Sequence, residues 1–183
     1  MNTANKLTIL RVILVPVFMA FLLMESTWAH IVALVVFIIA SLTDMLDGKI
    51  ARKYNMITNF GKFMDPLADK MLTTAAFLIF MEKGIIGSWA LMIILAREFM
   101  VSGVRLLAAG EGNVIAASFW GKFKTVSQMV AIIATILLML STQLVPENTA
   151  YLISAILIWI SIVFTIISGV EYLVKNIGSL KMK

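Results

Sequence analysis

The stretch Ser41–Lys70, SLTDMLDGKIARKYNMITNFGKFMDPLADK, sets four aspartates between two apolar runs. It follows ten residues, Ile31 to Ala40, that carry no polar side chain, and it leads into the largely apolar run from Met71 to Met81. If those runs lie in lipid, the carboxylates sit at its edge. Ionisable groups there are costly and usually functional.

Composition says what surrounds the runs. Of 183 residues, 61% are hydrophobic and only 14% are charged, against roughly a quarter charged in soluble domains. Mean hydropathy is +1.01. A water-exposed surface cannot be built from such a chain, and an integral membrane protein is the expectation. Backbone groups in lipid must be satisfied within each segment, which predicts helices rather than isolated strands. The net charge of +5 is read as marking the cytoplasmic side, so no nucleic-acid partner is expected. There is no cysteine, which excludes disulfides, thiolate catalysis and cysteine metal sites. The single histidine, His30, lies beside Trp28 and reads as an interfacial residue in a short loop.

Six apolar stretches follow, roughly Leu7–Met24, Ile31–Ala51, Gly61–Met81, Ser88–Ala108, Thr125–Leu144 and Thr149–Val174. Each approaches the ~20 residues that cross a bilayer as a helix. Lys49, Arg52, Lys53 and Lys62 flank the second connection, Arg105, Lys122 and Lys124 the fourth, and Lys175, Lys181 and Lys183 the tail. The odd connections hold only Lys83. The asymmetry predicts an all-α polytopic protein with six transmembrane helices and both termini in the cytoplasm. The N-terminal segment lacks a small-x-small cleavage site and reads as a retained helix. One domain covering residues 1–183 is expected.

Helical spacing aims the aspartates. Asp44, Asp47 and Ala51 share one face of the second helix; Gly61, Asp65 and Asp69 share one face of the third. Consecutive antiparallel helices can bring all four to one depth near the cytoplasmic boundary. Four facing carboxylates repel one another unless protonated or held by cations. Hard divalent ions such as Mg²⁺ prefer oxygen ligands and are often shared with substrate phosphates. Four aspartates suit two ions, and a two-metal site can activate a bridging phosphate. The competing reading pairs some of them with Lys49, Arg52 or Lys70. Gly48, Ala51 and Gly61 keep the helices slim, either to admit a headgroup or for ordinary helix packing. Arg52, one turn beyond Gly48, suits a phosphate or the membrane interface.

Read as a pattern, the stretch is Asp44-x2-Asp47-Gly48-x2-Ala51-Arg52-x8-Gly61-x3-Asp65-x3-Asp69. This resembles the signature of the CDP-alcohol phosphotransferases at every fixed position. The resemblance implies cleavage of the pyrophosphate of a CDP-linked lipid or alcohol by an attacking hydroxyl, with CMP as leaving group. It implies that Asp44, Asp47, Asp65 and Asp69 hold two ions, Mg²⁺ or Mn²⁺, with Asp69 also the general base. It implies that Gly48, Arg52 and Thr58 contact the CDP-diacylglycerol donor. The opening ANKLTILRVILVP also resembles the family. Asn5, Thr8 and Arg11 recur there at three-residue spacing and would line the nucleotide site, or else form a capped helix start with an interfacial arginine.

Two further stretches bear on the acceptor. AREFMVSGVRLLAAG carries Arg97, Glu98 and Arg105; WGKFKTVSQM carries Lys122, Lys124 and Gln128. Arg105, Lys122 and Lys124 are placed to form a cytoplasmic cationic pocket for an acceptor bearing its own phosphate. Positive-inside topology alone is the alternative for the two lysines. Arg97 and Glu98 are open to a structural reading, each paired with a group on a neighbouring helix. Both stretches resemble the bacterial branch of the family whose acceptor is sn-glycerol 3-phosphate, which implies a homodimer in the cytoplasmic membrane among lipid partners. Within the family, a cardiolipin, phosphatidylserine or inositol-phosphate enzyme is the rival. Outside it, the rivals are a divalent-cation transporter and a scaffold.

Overall fold

The computed structural model describes the backbone of residues 3–53, 59–110, 118–141 and 144–176, and the side chains of these except residues 3–6, 44–53, 59–66 and 69. Among the described residues six helices run in order: α1 Thr3–Leu23, α2 Thr27–Lys53, α3 Asn59–Glu82, α4 Ser88–Gly110, α5 Phe119–Leu140 and α6 Glu147–Asn176. Among the described residues there is no strand. The expected all-helical class and the number of helices both hold. Among the described residues two helices, α5 and α6, are long and apolar enough to cross a membrane, and Leu7–Leu23 and Thr27–Thr43 are shorter apolar stretches. Helices α3 and α4 are interrupted by charge, at Asp65, Asp69 and Lys70 in one and at Arg97, Glu98 and Arg105 in the other.

All the helices but α4 begin before their apolar segments, whereas α5 ends at Leu140, short of the expected Leu144. α5 starts at Phe119 rather than Thr125, since the Ser118 hydroxyl accepts from the Gly121 amide at 3.1 Å and caps it. α3 ends in a Schellman turn. Gly84 adopts a φ of 74°, its amide bonds to the Met81 carbonyl, and the Ile85 amide bonds to the Phe80 carbonyl.

The bundle places apolar bulk outside and small or polar groups inside. On α6, Leu152, Ile156, Val163, Val170 and Val174 are exposed, while Ser154, Ser161, Thr165, Ser168 and Gly169 are buried. Small residues and hydroxyls at helix contacts, with large aliphatics facing outward, are what lipid solvent selects. Gln128 on α5 donates to the Thr165 hydroxyl at 3.1 Å, and Thr165 donates to the Ser161 carbonyl at 2.7 Å. The remaining core is aromatic and aliphatic. Phe18 of α1 meets Phe37 of α2 with ring centroids 5.5 Å apart, and Phe77, Phe80, Ile132, Ile136, Ile158 and Ile162 are fully buried.

Lys70, midway along α3, bonds to Ser102 of α4, and Lys124 of α5 bonds to Glu98 of α4. α1 packs on both α2 and α3, α4 on α6, and α5 on α2, α3 and α6.

Candidate active site

α2 is helical through Lys53 and α3 from Asn59, so Asp44 and Asp47 stand near the last turns of one and Asp65 and Asp69 near the first turns of the other. Spacings of three and four residues place each pair on one face of its helix. α2 and α3 touch each other, and α1 packs on both. The side chains of Asn5, Asp44, Asp47, Gly48, Arg52, Asp65 and Asp69 lie outside the described residues, as does the whole of Thr58. As a donor set, four carboxylates fit hard divalent cations and no softer metal. Among the described residues no other group of three or more metal-ligating side chains occurs.

α1 contributes two described candidates. Thr8 and Arg11 are each 1% exposed, so both turn into the bundle. The Arg11 guanidinium sits inside, on the helix that contacts both aspartate-bearing helices.

The centre of the described polar network is Glu98 on α4. Its Oε1 accepts from the Lys124 ammonium of α5 and, at 3.2 Å, from Arg97; its Oε2 lies 4.0 Å from the Lys70 ammonium of α3. Lys70 also donates to the Ser102 hydroxyl, one turn beyond Glu98 on α4. Arg97 reaches across to α6 and donates to Ser168. One carboxylate therefore joins three cations from three helices, and Arg97 adds a fourth helix. Glu98 and Arg97 are each 12% exposed and Lys124 is 7%. In such a setting an ion pair is held strongly once formed, and losing one partner leaves a charge uncompensated.

Arg97 has room for this reach because α6 carries glycine at 169. A Cβ there would lie 3.0 Å from the Arg97 Cγ and 3.6 Å from the Met100 Cε. The arginine stem therefore lies against bare backbone.

The three cations expected to meet acceptor phosphate differ in exposure. Lys124 is buried against Glu98. Lys122, two residues earlier and so on another face of α5, is exposed. Arg105 is exposed and stacks its guanidinium 5.6 Å above the Tyr172 ring of α6. The structural reading of Arg97 and Glu98 holds, since each finds a partner on a neighbouring helix. Lys70, Ser102, Ser168 and Gly169 went unrecognised as members of this network. The available signal was the adjacent Arg97–Glu98 charge pair inside an apolar helix, which demands partners without naming them.

Comparison with known proteins adds an independent line. The CDP-alcohol phosphatidyltransferase family matches residues 1–167. The CDP-diacylglycerol–glycerol-3-phosphate 3-phosphatidyltransferase of Bacillus subtilis is 42% identical over 98% of this chain and 97% of its own length. The enzyme of the same name from Rickettsia bellii is 38% identical over 93% of each chain. A probable phosphatidylglycerophosphate synthase of Mycobacterium tuberculosis is 39% identical over 98% of this chain and 85% of its own. With the aspartate pattern intact and the match running almost end to end, the chain belongs to the CDP-alcohol phosphatidyltransferase family.

Proposed function

We propose that this protein transfers the phosphatidyl group of CDP-diacylglycerol to sn-glycerol 3-phosphate, giving phosphatidylglycerophosphate and CMP, as relatives of that name do. The observation that carries the reading on this chain is the convergence at Glu98. Lys70, the residue after Asp69, and Lys124, from the stretch expected to bind the acceptor, meet the same carboxylate. This supports a reading in which the helix of the proposed base and the proposed acceptor-phosphate ligand meet at one carboxylate.

In the reading we adopt, Asn5, Thr8, Arg11, Gly48, Arg52 and Thr58 bind the CDP-diacylglycerol headgroup, and its acyl chains stay in the bilayer. The burial of Thr8 and Arg11 supports an inward-facing nucleotide contact. Asp44, Asp47, Asp65 and Asp69 would hold two divalent ions, Mg²⁺ or Mn²⁺, which when bound neutralise pyrophosphate charge and favour departure of CMP. Lys124, with Arg105 and Lys122 toward solvent, receives the acceptor phosphate as a dianion. Asp69 accepts the proton of the C1 hydroxyl. The freed oxygen attacks the lipid-side phosphorus in line, the bond to the CMP oxygen breaks, and Arg52 offsets charge on the leaving group.

The architecture proposed for this chemistry is a single domain of six transmembrane helices with both termini cytoplasmic, working as a homodimer in the cytoplasmic membrane. The basic even-numbered connections and the outward aliphatic faces support it. At that boundary a lipid donor meets a water-soluble acceptor. The test is acceptor exchange in detergent: glycerol 3-phosphate should support CMP release, whereas glycerol, serine and inositol phosphate should not. Equal release with serine would overturn the acceptor assignment and leave the reaction class standing.

A further inference from the structure

We propose that Glu98 is a positioning residue for the acceptor. It touches no reacting atom but fixes the distance between the acceptor-phosphate lysine, Lys124, and the turn of α3 that carries Asp69. The inference rests on the reading of Lys124 given above.

The argument starts from the flexibility of lysine. Its ammonium is a point charge on a flexible four-carbon stem, with rotamer entropy to lose on being ordered. Left alone, Lys124 would have to be ordered by each arriving acceptor. The Glu98 Oε1 already holds it in the buried position, so the ordering precedes binding. The other oxygen faces Lys70 at 4.0 Å, next in sequence to Asp69, and Ser102 on the same helix as Glu98 takes the Lys70 ammonium as well. Glu98 is itself held from behind. Arg97 lies 3.2 Å from Oε1, bonds to Ser168 and lies along Gly169. The carboxylate is thus a fixed post, with α3 on one oxygen and α5 on the other.

Such a post gives the acceptor site a ruler. A hydroxyl and a phosphate on one small molecule stand a set distance apart, and a site that holds both partner groups at that distance binds the molecule in a reactive pose. An ion cluster that merely tied helices together would affect donor and acceptor alike. This one joins the lysine of the acceptor phosphate to the helix of the base, so its loss should fall on the acceptor.

The experiment is steady-state CMP release by the full-length protein in detergent with Mg²⁺. Glycerol 3-phosphate is varied at saturating CDP-diacylglycerol, and then the reverse. Glu98→Gln should raise KM for glycerol 3-phosphate about tenfold or more, while KM for CDP-diacylglycerol moves less than about twofold. Glu98→Asp should fall between wild type and Glu98→Gln. Combining Glu98→Gln with Lys124→Gln should cost little beyond Lys124→Gln alone. An unchanged KM for glycerol 3-phosphate in Glu98→Gln, or an equal rise in both KM values, overturns the proposal. If Lys124→Gln raises KM and Glu98→Gln does not, positioning fails and the acceptor reading stands. If Lys124→Gln leaves KM unchanged, the acceptor reading fails and this proposal with it. Should Glu98→Gln not accumulate, Glu98→Asp carries the test: a rise of about threefold supports the proposal, and no rise overturns it.

Discussion

Arg97 of α4 bonds to Ser168 of α6 with its stem laid over Gly169, so that an added Cβ at 169 would stand 3.0 Å from the arginine Cγ. A side chain held at both ends has little freedom to yield. Gly169→Ala should therefore destabilise the protein by about 1–3 kcal/mol, the usual cost of overfilling a packed contact. Thermal unfolding in detergent checks this, and an unchanged midpoint would show that Arg97 can move aside.

The Gln128–Thr165 hydrogen bond, 3.1 Å long and buried between α5 and α6, should be worth less than its burial suggests. Side-chain hydrogen bonds between membrane helices average about 0.6 kcal/mol and reach about 1.7. Gln128→Leu should fall within that range, because Thr165 keeps its bond to the Ser161 carbonyl. Reversible unfolding in mixed micelles measures it. A loss well above that range would give Gln128 a further duty.

Helix geometry and burial read differently from the sequence. The helices were legible, because long apolar runs stand out between polar connections. The aspartate spacing was legible as a pattern, because helical periodicity turns it into one face on each of two helices. The grouping of Lys122 with Lys124 was less so: residues two apart on a helix diverge, and the structure buries one and exposes the other. The distant partners of Glu98 were not legible. Lys70 and Lys124 come from two other helices, and contacts across a bundle leave no local pattern. Gly169 was equally silent, since its role is to make room for an arginine 72 residues earlier in the chain.

Metal removal should abolish activity. Chelation with EDTA is expected to stop CMP release, and Mg²⁺ or Mn²⁺ should restore it, whereas Ca²⁺, larger and less strict in geometry, should restore it poorly. Full activity in excess chelator would remove the metals from the account.

Topology has a clean assay because the chain contains no cysteine. Glu25→Cys, in the first connection, should react with a membrane-impermeant maleimide in intact cells. Lys175→Cys, exposed at the end of α6, should react only after permeabilisation. The reverse pattern would invert the proposed orientation.

The central claim is that the four aspartates serve a transfer from CDP-diacylglycerol to glycerol 3-phosphate, with Asp69 as base. Its most direct measurement supplies purified wild-type and Asp69→Asn protein with CDP-diacylglycerol, labelled glycerol 3-phosphate and Mg²⁺, and follows CMP and labelled lipid together. Wild type should release CMP and form labelled phosphatidylglycerophosphate in equal amounts, and Asp69→Asn should lose about 100-fold or more of both, as expected for removal of a general base. Labelled lipid formed at an undiminished rate by Asp69→Asn, or CMP released by wild type without labelled lipid, would contradict it.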